Sequence, residues 1–325
     1  MTILVTGSEG LIGANLVPRL LTKGIDVRPF DIKRSRLEDT RDASALAKCS
    51  GQSTITGVVH LAAVSRVVWA EQDPANCDAT NVRALSSLLA LCERQRQPPW
   101  VIFASSREVY GNQPHFPVSE AAPFGPINTY GRSKVDGERL VEAARRRGLV
   151  ANVCRFSSVY GWPSDHANRV AMAFAIAAAR GGSIVLEGSH NVFDFTFVDD
   201  VIDGVMSLIE VTNAGVTLPP VHFVSGTGTS LGELADIAAA NSHHAIKVRE
   251  APARTFDVGH FVGDPERAAS LLGWRARTSA RAGVAKLIDR INAAQQPRAA
   301  PVIVPATASV VVGAAKIAQA ARSAQ

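Results

Sequence analysis

The sequence predicts an α/β fold: a doubly wound parallel sheet with a smaller C-terminal lobe interwoven with it. Three observations carry that expectation. Short apolar runs alternate with amphipathic, Leu- and Ala-rich segments through the first half of the chain. A glycine-rich turn joins the first apolar run to the first amphipathic one. Beyond Tyr160 the alternation gives way to helical stretches mixed with short strands, and no internal repeat is visible.

The elements follow in order. "TILVT" (2–6) reads as a buried strand, and Leu11 to Lys23 as a helix ended by Gly24. "DVRPFD" starts a second strand, which completes a strand–turn–helix–strand unit. "GVVHLAA" (57–63), "WVIFASS" (100–106) and "VANVCRFSS" (150–158) read as further strands, with helices over about 79–96 and Ser133–Arg147 between them. Later helices are expected over about 167–180, 199–211 and 231–240, with strands at "SIVLEG" and "PVHFVSG". This is an arrangement of the Rossmann type. Residues 1–160 are expected to form mainly the sheet domain, 161–292 mainly the smaller lobe interwoven with it, and 293–325 a C-terminal tail.

Composition narrows the function. The 325 residues are 46% hydrophobic and 19% charged, as in a globular enzyme with a sizeable core. The formal charge of +5 comes from scattered basic residues. Without a basic run interleaved with aromatics, nucleic acid is not the expected partner. Cys49, Cys77, Cys92 and Cys154 show no CxxC spacing and the eight histidines no HExxH pattern, so neither a disulfide frame nor a metal site is expected. The N-terminus enters a strand at once, with no signal peptide, and the expected location is cytoplasmic. From Ala299 to Ala315 the chain is uncharged, but Pro301 and Pro305 interrupt a run already too short to span a bilayer. No membrane association is expected.

"TGSEGLIG" places Gly7, Gly10 and Gly13 between the first strand and the first helix, with Leu11 and Ile12 inside the turn. Gly7 permits the tight turn, Gly10 lets backbone approach a pyrophosphate, and Gly13 lets helix and strand pack closely. The helix N-terminus supplies N–H donors to the phosphates. Asp31 ends the second strand, where its carboxylate can accept both ribose hydroxyls and repel a 2′-phosphate. The expected cofactor is therefore NAD rather than NADP, although Lys33, Arg34 and Arg36 follow closely.

"YGRSK" sets Tyr130 and Lys134 on one helical face. A lysine there is expected to lower the pKa of the phenol by stabilising the phenolate, making a usable base. Ser106 ends a sheet strand, the edge at which α/β active sites open.

Together with "VVHLAA", Asn81 in "NV", "SSREVYG", "RFSSVYG", "DFTFVDDV" and "GDPERAASLLGW", these motifs make residues 2 to about 290 resemble the extended short-chain dehydrogenases, the NAD-dependent epimerase/dehydratase family that remodels nucleotide sugars. The resemblance implies a nucleotide-sugar substrate and a homodimer paired through two helices, for which those at about 79–96 and 133–147 are candidates. It implies that Asp39 and Thr40 contact adenine, that Leu61, Ala62 and Ala63 line the dinucleotide, and that Asn81 lies near it. Ser106, Tyr130 and Lys134 match the catalytic serine, tyrosine and lysine, and Arg254 matches an arginine that grips the substrate's diphosphate. Three positions depart from the family's pattern: Ser158 where many members have Asn, Trp162 before Pro163, and Phe193 where many have Arg.

The implied first step is removal of a sugar hydroxyl proton, usually at C4, by Tyr130. A 4-epimerase needs no further acid or base. A 4,6-dehydratase often shows "TDEVYG", in which Glu takes the C5 proton and Asp is the acid. Here Glu108 matches the base, but Arg107 stands at the acid's position and does not release a proton. Arg107, or Arg66 in "AAVSRVVWAE", can pair with a C6 carboxylate; each also suits a turn or surface position. The expectation is an NAD-dependent nucleotide-sugar 4-epimerase, with a dehydratase or uronate decarboxylase using Glu108 as the alternative. A net dehydrogenase and a non-catalytic NAD-binding regulator rank below both.

Overall fold

A computed structural model of the protein describes residues 1–51, 55–252 and 258–294. The expectations for Arg254 and for the tail from residue 295 on fall outside those residues.

The chain opens with strand β1 (Thr2–Thr6), helix α1 (Leu11–Thr22) and strand β2 (Asp26–Phe30). Helix α2 (Ala43–Gly51) leads to β3 (Gly57–His60), and α3 (Val67–Gln72), α4 (Pro74–Asp78), a π-helical turn (Ala79–Arg83) and α5 (Ala84–Glu93) lead to β4 (Trp100–Ser106). A 3-10 turn (Arg107–Val109) and α6 (Thr129–Arg146) precede β5 (Ala151–Phe156) and β6 (Ser158–Tyr160). Then come α7 (Val170–Arg180), β7 (Gly182–Glu187), β8 (Val192–Phe197), α8 (Val198–Asn213), β9 (Val221–Phe223), β10 (Gly228–Ser230) and α9 (Leu231–Ala240). The described chain finishes with β11 (Ile246–Ala251), β12 (His260–Phe261), α10 (Glu266–Leu272) and α11 (Ala280–Ala293).

The main sheet is parallel, in the order β2-β1-β3-β4-β5-β9. Its chain direction switches between β1 and β3, which opens a crevice at the carboxyl ends of those strands. Alternation along each strand feeds two cores. Leu4, Val58, Val101 and Phe103 pack with Leu85, Leu88 and Val141 of α5 and α6. Ile3, Val5, Val59 and Ile102 pack on the opposite face with Leu16 and Leu20 of α1 and Val201 and Val205 of α8. Burying each such side chain contributes about 2 kcal/mol. Pro29 is tolerated in β2 because that strand lies at the sheet edge.

The later half contributes β9 to the edge of the main sheet and builds a second, mixed sheet around β8, which pairs with β6, β10 and β12. A separate core, including Phe174, Phe195, Leu234 and Leu287, sits beneath it. Sequence and structure differ mainly over 79–96. The expected single helix begins as a π-helical turn, the kind of widened turn that often marks a functional position.

Candidate active site

The carboxyl ends of β1, β3 and β4 open into one cleft of about 690 Å³, walled on its far side by β6, the start of α7 and β8. Its floor is the glycine turn. Gly7 has φ +70°, and a Cβ there would lie 2.7 Å from the Ala62 nitrogen. A Cβ on Gly13 would lie 2.2 Å from the Gly7 carbonyl oxygen. Helix α1 starts at Gly10 without a side-chain cap, and Leu11, Ile12 and Gly13 line the cleft. An uncapped helix start with open N–H groups is suited to a diphosphate.

Asp31 also lines the cleft. Its carboxylate accepts backbone N–H bonds from Glu9 (2.9 Å) and Lys33 (2.8 Å), leaving further lone pairs toward the cleft. Of the neighbouring cations, Arg34 is drawn to Glu9 (3.6 Å) and Glu38 (3.4 Å). Asp39 and Thr40 line the same end. The Asp39 carboxylate is gripped by the Arg41 guanidinium, whose hydrogen bonds hold it below the usual carboxylate range. Leu61, Ala62 and Ala63 form the wall between the glycine turn and Arg66. These features form a cradle for an extended dinucleotide.

Asn81 is not part of that wall. It is buried, and its amide is spent on Val64 (Nδ2 to O 3.2 Å; Val64 N to Oδ1 2.8 Å) and on the Ser133 hydroxyl (2.9 Å). It ties the loop after β3 to α6, so its influence on a ligand passes through Val64.

At the mouth of β4, Ser106 caps the 3-10 turn, its Oγ accepting from Glu108 N (3.2 Å). The Ser106 side chain faces the Tyr130 phenol and favours its ionised form. Tyr130 sits at the start of α6, which Asn128 caps by accepting from Gly131 N (2.7 Å). Lys134 lies one turn on, with its Nζ 5.7 Å from the centre of the Tyr130 ring and donating to Ala104 O (2.8 Å). The expected lowering of the phenol pKa is not what the ligand-free site produces. Burial pushes Tyr130 up to about 12, against the opposing pull of Ser106 and the Arg169 charge. Burial likewise lowers Lys134 to about 8.

Glu108 is buried in the cleft wall between two partners: Arg107 Nη2 at 3.0 Å from Oε1 and Asn128 Nδ2 at 2.8 Å from Oε2. Arg107 is no surface residue. Its guanidinium lies 4.7 Å from the Phe193 ring centre and 5.6 Å from that of Phe261, and its Nη1 is buried without a hydrogen-bond partner. Phe193 therefore both packs and carries a stacked cation. Across the cleft, Arg66 donates to Asn168 Oδ1 and faces Trp69, while Ser158 opens β6.

Sequence reasoning missed Asn128, His166, Asn168 and Arg169. Asn128, directly before the helix at Thr129, carried a readable cap signal. The other three lie in the loop before α7, where no periodicity marks a function.

A sequence profile of the NAD dependent epimerase/dehydratase family matches residues 3–224. The chain belongs to the NAD dependent epimerase/dehydratase family. It is an enzyme with NAD as its cofactor, and the cleft fits that cofactor from the glycine turn to Asp31. The chain is 27% identical over 304 residues to UDP-glucose 4-epimerase of Lacticaseibacillus casei, covering 85% of this chain and 92% of that one. It is 28% identical over 237 residues to UDP-glucuronate 4-epimerase 1 of Arabidopsis thaliana, covering 65% of this chain and 55% of the longer plant protein. Among solved structures, MoeE5 in complex with UDP-glucose and NAD superposes with a TM-score of 0.81 at 28% identity, over 90% of this chain and 99% of that one.

Proposed function

We propose that the protein is an NAD-dependent nucleotide-sugar 4-epimerase. The observation that carries this reading is the convergence of Ser106, Tyr130 and Lys134 at the mouth of the dinucleotide cleft, beside an Arg107 that supplies no proton. Bound NAD provides the oxidant for the sugar carbon and, in the reverse sense, the reductant. Gly7, Gly10, Leu11, Ile12, Gly13, Asp31, Asp39, Thr40 and Leu61–Ala63 hold it.

Tyr130 takes the proton of the sugar hydroxyl and later returns it. Ser106, which faces the phenol, donates to the same sugar oxygen and keeps it aligned. Lys134 holds a positive charge beneath the ring, favouring the phenolate once the sugar and cofactor displace water. Rotation of the 4-keto sugar before the carbon is reduced again inverts C4 without a further acid or base. Arg107 and Arg66 are cationic contacts for the sugar end of the substrate, with Ser158 between them and Arg254 a candidate for the diphosphate. The name of the L. casei relative and the ligands of MoeE5 point to a uridine-diphosphate sugar.

A second reading, a dehydratase or uronate decarboxylase, draws support from Glu108, which lines the cleft near Ser106. Dehydration needs a proton donor that Arg107 cannot be; decarboxylation needs none at C6. Incubation with UDP-glucose, UDP-glucuronate and their thymidine counterparts, followed by mass spectrometry and NMR, separates the readings. A product of equal mass with inverted C4 is expected. Loss of water or carbon dioxide replaces the epimerase reading with the second, and net NADH accumulation overturns both.

Among the described residues no helix is long and apolar enough to cross a membrane. A cytoplasmic homodimer paired through α5 and α6 is the assembly we propose, and light scattering on the purified chain tests it.

A further inference from the structure

Helix α6 carries a third polar residue in step with Tyr130 and Lys134. Glu138 lies one turn beyond Lys134, so the three share one helical face. That face grips three consecutive residues at the end of β4. Tyr130 faces the Ser106 side chain, Lys134 Nζ donates to Ala104 O, and Ser105 Oγ donates to Glu138 Oε1 at 2.5 Å.

Glu138 is itself held from the neighbouring strand. Arg155 of β5 donates Nε to Oε1 (2.8 Å) and Nη2 to Oε2 (2.6 Å), a bidentate pair that fixes the carboxylate plane. Ser105 and Arg155 are register partners in the parallel β4–β5 ladder, so both reach the same carboxylate from adjacent strands. Arg155 is anchored further by Tyr110 Oη and Glu120 O. All of these groups are buried.

A buried ion pair is weak evidence for stability, because desolvation offsets most of its attraction. Its directional bonds do something apolar packing cannot. Near the catalytic end of α6 the other polar tie to β4 is Lys134 Nζ on Ala104 O, and Arg145 bonds β5 farther along the helix; the rest of the contact includes apolar residues such as Val141, Ala144 and Phe103. Proton transfer between Tyr130 and a substrate oxygen aligned by Ser106 does not tolerate small slides of the helix, since a misplacement of about 1 Å can cost about a hundredfold in rate.

We propose that Glu138, clamped by Arg155 and Ser105, is a positioning residue that sets the register of α6 on β4 and so fixes Tyr130 against Ser106. This rests on the reading that Tyr130 is the proton carrier. Ser105→Ala is the gentlest test, because it removes one rung while leaving the Glu138–Arg155 pair intact; Glu138→Gln is the stronger one. With full-length protein, NAD and UDP-glucose, Ser105→Ala should lower kcat about tenfold with KM and NAD affinity within about twofold of wild type, and Glu138→Gln should lower it further. Ser105→Thr, which restores the hydroxyl, should recover most of kcat. An unchanged kcat per NAD-bound site alongside a lower melting temperature would show a merely stabilising role and overturn the proposal, as would a rise in KM that accounts for the whole loss.

If the wild type converts no nucleotide sugar, the epimerase reading fails separately. Ultraviolet titration of Tyr130 in the ligand-free protein then decides the positioning role. The phenol should titrate higher in Ser105→Ala as it moves away from Ser106, and an unmoved titration overturns the proposal.

Discussion

The guanidinium of Arg107 lies 4.7 Å from the ring centre of Phe193 on β8. From the turn after β4 the same guanidinium also pairs with Glu108 at 3.0 Å. Arg107→Leu should leave that buried carboxylate with only the Asn128 amide and lower stability by about 3 kcal/mol. Adding Glu108→Gln should recover part of the loss, because no unpaired charge then remains. Denaturant unfolding of the two single variants and the double variant measures the coupling, and strict additivity would show that the pair is not an energetic unit.

Tyr130→Phe removes the hydroxyl proposed to carry the proton and leaves the ring, the helix and the glycine turn in place. It should lower kcat by at least about a hundredfold while NAD binding stays within about twofold of wild type. Isothermal titration and steady-state rates check the two halves. Retained turnover would transfer the base role elsewhere, with Glu108 the nearest candidate.

Much of this was legible in the sequence for a physical reason. Strands buried on both faces read as apolar runs, and the glycine turn leaves a mark because Gly7 and Gly13 admit no Cβ. Side chains that meet across the chain leave no such mark. Nothing in "SSREVYG" says that Arg107 turns onto Phe193, a residue far along the chain, rather than into solvent. The resemblance implies Asn81 near the cofactor, and no local pattern says that its amide bonds Val64 and Ser133. The sign of the Tyr130 shift was also missed, since burial of the phenol outweighs its charged neighbours and burial is a property of the folded chain.

Lys134 gives the structure a pH signature. Its folded value, about 8, lies below the ordinary 10.5. The unfolded chain therefore holds this proton more tightly between those values, and stability should rise with pH across that window, by about 3 kcal/mol in all. Tyr130 acts in the opposite sense at higher pH, because its folded value is raised from 10 to about 12 and stability falls across that range. Lys134→Met should flatten the rise between about pH 8 and 10.5. Urea unfolding at a series of pH values checks this, and an unchanged slope would show that the lysine stays charged in the fold.

Asp31 offers the sharpest test of cofactor choice. Each of its oxygens accepts one backbone N–H, from Glu9 and from Lys33, so the carboxylate both closes the turn and brings negative charge to the place proposed for the ribose. Asp31→Ser removes the charge and frees those two N–H groups in the neighbourhood of Lys33 and Arg34. The ribose hydroxyls lose their acceptor, so NAD affinity should fall about tenfold. A 2′-phosphate loses its repulsion and gains donors, so NADP affinity should rise and the preference should narrow or reverse. Titration of both dinucleotides against both proteins measures the change. If NAD weakens while NADP does not strengthen, the discrimination comes from the shape of the turn rather than from the Asp31 charge.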